Sequence, residues 1–161
     1  IPMTVGNDMN FLTMGCWAQK HPDAGSLVTL FMGGNGIGGG MVINGQLWTG
    51  ASGYCSEVGF LPVYERLNKG SLGLPPAEHI SELYARLIQI YAVTVNPHMM
   101  VLYRHPLLEG RLDEIRRLCA SYLPSKAIPS IELSYDYQQD YEKGLFTVAK
   151  SMGQAVSEGG L

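Results

Sequence analysis

Basic residues are scarce in this sequence: eleven Lys and Arg stand against fourteen Asp and Glu, a formal net charge of −3. Such a chain carries no electrostatic footprint for nucleic acid, which is held chiefly by clustered Lys and Arg. The one basic pair, Arg116-Arg117, sits beside Asp113-Glu114 and reads as the solvated face of a helix. Cysteine is also sparse. Cys16, Cys55 and Cys119 are odd in number and far apart, so they form neither a disulfide framework nor a CxxC metal knuckle. Buried or half-buried thiols of a cytoplasmic protein are the expectation. No apolar run approaches about 18 residues, so no membrane-spanning helix is expected. Ile1 is not an initiator and the chain opens in mid-pattern, so no secretory signal is expected either. Repeats, low-complexity tracts and linkers are missing. What remains is 46% apolar and 16% charged, the composition of one globular domain spanning residues 1–161.

Glycine is abundant, and it concentrates where the chain is best organised. Leu27 to Met32 is an apolar, strand-like run feeding Gly33, Gly34, Gly36, Gly38, Gly39 and Gly40; Met41 to Ile43 is a second run, followed by Asn44-Gly45 and then Gln46 to Thr49. Asn-Gly between two such runs predicts a tight hairpin, because both turn positions require positive φ. The first glycine cluster predicts a bend in which the N–H groups of Gly34, Asn35 and Gly36 converge on an anion. A glycine-rich turn without a ligand is the other reading. Residues 34–39 also satisfy G-x-G-x-x-G, but a dinucleotide fingerprint opens a helix, and here a strand pattern follows at once.

Elsewhere the periodicity is mostly helical. Pro2 to Gly6 reads as a short strand, and Asn7 or Asp8 as the cap of a helix carrying Phe11, Leu12 and Cys16. Ile80, Leu83, Tyr84, Leu87, Ile88 and Tyr91 line one face of a helix started by Pro75-Pro76 and ended by Asn96-Pro97. His98 to Tyr103 reads as a buried strand. Leu108, Leu112, Ile115, Cys119 and Tyr122 mark the next helix, Pro129 to Ser134 a last strand, and Tyr141, Leu145, Val148 and Met152 the apolar stripe of a final helix. His21, His79 and His105 have no partners at ligand spacing and read as surface residues. Trp17, Trp48 and the tyrosines read as packing groups that could also stack on a sugar face.

The stretch GGNGIGGGMVINGQLWTGASGYCSEVGF, together with Asn7-Asp8-Met9-Asn10 upstream, resembles the signatures of the ROK family (repressors, open reading frames and sugar kinases). The tail is similar as well: Asn96-Pro97 before an apolar strand, and Gly144 opening a helix. The resemblance implies the ribonuclease-H-like lobe of the actin-like sugar kinase (ASKHA) fold, an α/β domain with a mixed sheet and helices. Residues 1–20 would be a hinge or the tail of a first lobe that the sequence does not include. It further implies that Asp8 is the general base in a kinase, that Asn7, Asp8 and Glu57 bind sugar hydroxyls, and that Gly34, Asn35 and Gly36 meet phosphate. A carboxylate suits such work because it accepts hydrogen bonds without donating any.

Two departures from the family pattern stand out. Phe60 occupies the position of a histidine that contacts sugar and in many members binds structural zinc, and residues 61–78 contain no cysteine. No metal site, and zinc in particular, is therefore expected. The segment looks shortened, and neither Glu65 nor Glu78 can be matched to the family's further sugar-binding glutamate. After Tyr103 the family has glycines that shape a nucleotide pocket, whereas this chain has Arg104-His105-Pro106. Arg104 reads as a surface charge or, alternatively, a phosphate contact.

Three functions follow. One is the sugar-sensing domain of a ROK transcriptional regulator, reaching DNA only through an upstream domain. Another is a fragment of a ROK sugar kinase, needing ATP and Mg only as part of the full-length enzyme. The third is a structural or dimerising domain with a vestigial sugar site. A small sugar or sugar phosphate as ligand, a homodimer, a cytoplasmic location and no cofactor in this fragment are the accompanying expectations.

Overall fold

A computed structural model describes residues 6–34, 36–67 and 76–158. Five strands form one mixed sheet in the order β3-β2-β1-β4-β5: β1 (Ser26–Gly33), β2 (Gly36–Ile43), β3 (Gln46–Leu47), β4 (Met99–Tyr103) and β5 (Ser130–Ser134). β1 and β2 pair antiparallel from Ser26 opposite Ile43 to Gly33 opposite Gly36, and β3 returns antiparallel on β2. β4 lies parallel to β1, and β5 parallel to β4. The helices are α1 (Asp8–Lys20), α2 (Pro62–Leu67), α3 (Ile80–Thr94), α4 (Leu112–Tyr122) and α5 (Tyr137–Glu158). The expected strand from Pro2 to Gly6 lies, but for Gly6, outside the described residues.

The sheet is a double-sided partition because side chains alternate along each strand. Val28, Leu30 and Met32 of β1, Met100 and Leu102 of β4 and Ile131 of β5 join Ile80, Leu83, Tyr84, Leu87 and Ile88 of α3 and Ile115 and Cys119 of α4 in the larger core. Leu27, Val101 and Tyr103 point the other way, into a smaller core with Met9, Leu12 and Cys16 of α1. The helical face read from residues 80–91 is buried at all six positions.

Asn44 (φ 51°) and Gly45 (φ 74°) make the tight turn, as their types require. The first glycine cluster is used differently from the sequence expectation. β1 ends at Gly33 and β2 begins at Gly36, so Gly36, Gly38, Gly39 and Gly40 lie within β2. A Cβ on Gly38 would come within 2.8 Å of the Met9 side chain, and one on Gly40 within 2.7 Å of the Met9 carbonyl and 2.0 Å of the Thr13 hydroxyl. These two glycines let α1 lie directly on the strand.

The last helix also differs. Gly144 lies in the interior of α5 rather than opening it, and of the expected apolar stripe Tyr141 packs on the smaller core while Leu145 is 40% exposed. Met152's side chain is outside the described residues. α5 is oriented by backbone contact: a Cβ on Gly15 would sit 1.7 Å from the Asp140 carbonyl oxygen, and one on Gly144 1.7 Å from that of Phe11. Aromatic rings complete this contact, with Phe31 on Tyr137 at 4.5 Å between centroids and Phe11 edge-on to Tyr141 at 6.3 Å. Once the small residues set the crossing, Leu145 and Phe146 are turned to solvent.

Candidate functional site

Asn7 and Glu57 meet. The Asn7 Nδ2 amide donates to Glu57 Oε1 at 3.1 Å across 50 positions of sequence. Asn7 is the N-cap of α1: its backbone is extended and its Oδ1 accepts from the Met9 amide at 2.8 Å. Asp8, exposed in the first turn, shares that amide through Oδ1, also at 2.8 Å. A carboxylate there is favoured by the positive end of the helix, and the side chain keeps accepting capacity toward solvent. Capping and ligand binding are thus compatible uses of these residues, because Asn7 caps with its oxygen and reaches Glu57 with its nitrogen.

Glu57 arrives from the other side of β2. The loop before it reverses through Gly50 (φ 72°), Gly53 (φ 81°) and Ser56 (φ 68°), and Glu57 then leads into a single 3₁₀ turn, Val58–Phe60. Gly39 permits this approach, since a Cβ there would lie 2.8 Å from the Ser56 carbonyl and 3.1 Å from the Tyr91 hydroxyl. The glycine run therefore builds the pair indirectly. Gly38 and Gly40 seat α1 on one face of β2, Gly39 seats the Glu57 loop on the other, and the two polar side chains meet.

Gly34 is exposed with open space around it, and Gly36 has φ 127°; Asn35 lies outside the described residues. Phe60 is 79% exposed, and its ring lies 6.2 Å from that of Tyr54. Among the described residues no group of three or more His, Cys, Asp or Glu is placed to hold a metal ion. Arg104 bonds through Nε to Glu109 at 2.9 Å and lies over the Tyr135 ring, a surface arrangement that already uses its charge. His98 Nδ1 pairs with the Ser26 hydroxyl at 2.9 Å and His105 Nδ1 accepts from the Leu107 amide, so both have structural roles. No described helix is long and apolar enough to cross a membrane.

Sequence reasoning missed a polar cluster under α5. Asp140 is fully buried; its Oδ2 accepts from Lys20 Nζ at 2.8 Å and from the Tyr103 hydroxyl at 2.6 Å. Lys20 also reaches Asp136 at 3.1 Å and the Ser134 hydroxyl. Burial opposes the Lys20 ammonium, but its bonds to Asp140 and Asp136 outweigh that and raise its pKa. Burial is also the main reason that the Cys16 thiol beside them is pushed up to about 12. The available signal was an aspartate between Tyr137 and Tyr141, where solvent exposure is the default reading for a charge.

The ROK family model matches residues 1–75. No curated protein matches the sequence. Among solved structures, a ROK hexokinase from Thermus thermophilus superposes with a TM-score of 0.68 at 16% identity, covering 93% of this chain and 67% of that one. A ROK family protein from Streptococcus pneumoniae in complex with sucrose gives 0.65 at 16%, covering 92% and 66%. A ROK family glucokinase from Streptomyces griseus in complex with glucose and AMPPNP gives 0.59 at 17%, covering 94% and 69%. The chain spans about two thirds of the length of each. The ROK family model thus covers the first 75 residues, which include Asn7, Asp8 and Glu57, and the chain has the actin-like fold of the ROK sugar kinases over more than nine-tenths of its length.

Proposed function

We propose that this domain is the sugar-sensing part of a ROK-type transcriptional regulator, binding a small sugar or sugar phosphate at Asn7, Asp8 and Glu57 without phosphorylating it. The observation that carries the reading is the Asn7–Glu57 hydrogen bond beside the free edge of the Asp8 carboxylate. Adjacent amide and carboxylate groups offer a polyol both a donor and acceptors, so each sugar hydroxyl can exchange water for a fixed partner. Support for a sensor rather than a catalyst comes from the segment after β4. Arg104 is committed to Glu109 there, and His105-Pro106 stands where close backbone approach to a phosphate would need glycine. Gly34, Asn35 and Gly36 are the remaining candidate for a phosphate group. DNA contact in this reading belongs to a module outside these 161 residues, and the protein works as a cytoplasmic homodimer.

A ROK sugar kinase is the second reading, favoured by the likeness to a hexokinase and a glucokinase. ATP and Mg would then be required, and Asp8 would take the proton of the attacking hydroxyl. Sugar-dependent ATP turnover measured on this chain and on its full-length parent, each with Asp8→Asn as control, separates the two. Calorimetric sugar binding without turnover is the expected outcome. Turnover that disappears in Asp8→Asn overturns the sensor in favour of the kinase, and the absence of both signals leaves a structural domain. Replacing Asn7 or Glu57 by Ala is expected to weaken sugar binding at least tenfold, the loss of one or two hydrogen bonds to a polar ligand.

A further inference from the structure

Glu57 faces two environments. One oxygen accepts from Asn7, while the residue also borders a cavity of about 160 Å³ walled by Tyr54, Val58, Leu61, Ile90 and Tyr91. Val58 at 1% and Tyr91 at 6% exposure form the floor of a pocket that opens to solvent at Tyr54, with half-buried Leu61 and Ile90 at its sides. The Tyr91 hydroxyl is engaged by Ser56, which leaves the ring to line the cavity. At the rim, Tyr54 and Phe60 are 68% and 79% exposed and contact each other at 6.2 Å.

We propose that this cavity is a subsite for an apolar group attached to the sugar, so that the ligand is a hexose glycoside with an aryl-sized apolar aglycone rather than a free hexose. The inference rests on the reading of Asn7 and Glu57 as the hydroxyl-binding pair. Size favours it, because a volume of about 150 Å³ is enough to admit a benzene ring. Chemistry favours it as well. A free hexose carries hydroxyls around its ring, and any placed against Val58, Leu61 and Ile90 would lose water without gaining a partner. A glycoside divides its polarity as the site does, with hydroxyls toward Asn7 and Glu57 and an apolar group beneath Tyr54. The exposed rings of Tyr54 and Phe60 then cover the entering group, since aromatic faces pack well against an aryl ring.

The test is calorimetry on the protein with paired methyl and phenyl β-glycosides of glucose, galactose and N-acetylglucosamine, and with phenol alone. For at least one sugar the phenyl glycoside should bind about tenfold or more tightly than its methyl partner, the gain from burying most of a ring. Ile90→Trp, which fills the cavity, should collapse the phenyl-to-methyl ratio toward one. Leu61→Phe serves the same purpose should Ile90→Trp fail to give a cooperative thermal transition. Equal affinities within every pair in wild type overturn the apolar subsite and leave the hydroxyl-binding pair standing. Binding of phenol with no glycoside bound, or no binding at all, overturns the hydroxyl-binding reading and the glycoside ligand with it.

Discussion

Asp140 is enclosed by Lys20 and Tyr103, and its Oδ1 is buried with no hydrogen-bond partner among the described residues. Removing the lysine would leave a buried carboxylate with one neutral donor, so Lys20→Met is expected to destabilise by about 3 kcal/mol. Urea denaturation measures this, and adding Asp140→Leu to the same chain should restore part of the loss by removing the stranded charge. The pair also sets a pH dependence. Because the folded pKa of Lys20 lies above its ordinary 10.5, its contribution is fully present below that value and is lost as pH rises through the raised one. Glu82 behaves oppositely. Burial would raise its pKa, but bonds from Tyr122 and Arg86 prevail and lower it from 4.5. Its contribution is therefore present above that value and lost as pH falls through the depressed one. Glu82→Gln should lose stability at neutral pH and flatten the acid side of the profile, as read from urea midpoints across that range.

α1 and α5 are joined by glycines rather than by leucines, which makes their contact intolerant of added atoms. Gly15→Ala and Gly144→Ala each place a methyl against main chain on the facing helix, where no rotamer change can relieve it. Each should cost about 3 kcal/mol or more, beyond the gain in helix propensity, and should lower the melting temperature by several degrees. Gly59→Ala is the matched control: a Cβ there meets nothing within 4 Å, so stability should stay within about 0.5 kcal/mol. β2 carries the same logic toward the candidate site. Gly39→Ala drives a methyl at the Ser56 carbonyl and should displace Glu57. Its sugar affinity should therefore fall further than its stability, a combination that calorimetry and denaturation separate.

Across the whole molecule the three thiols report on how closed the two cores are. Cys16 and Cys119 are fully buried, one on each side of the sheet, and burial pushes them to about 12 and about 11. Cys55 is only half-buried. At about pH 8 one thiol per chain should react with Ellman's reagent under native conditions, and all three in urea. Much of this architecture was legible in the residues alone. The apolar runs of β1 and β4, the apolar face of α3 and the Asn44-Gly45 turn are local consequences of side-chain character and spacing and of which residues tolerate positive φ, and each formed as read. Of the motif residues, Asn7 and Glu57 meet in the fold, 50 positions apart in sequence. Spacing could not show why they meet. The glycines of β2 look like a loop until α1 and the Ser56 loop are packed against them from opposite faces. Nor could it show that α5 would turn its leucine outward, that Asp140 would be buried with Lys20, or that Glu57 would border an apolar cavity. Those outcomes depend on atoms distant in sequence competing for the same space, and only the assembled fold brings them within a few ångströms of one another.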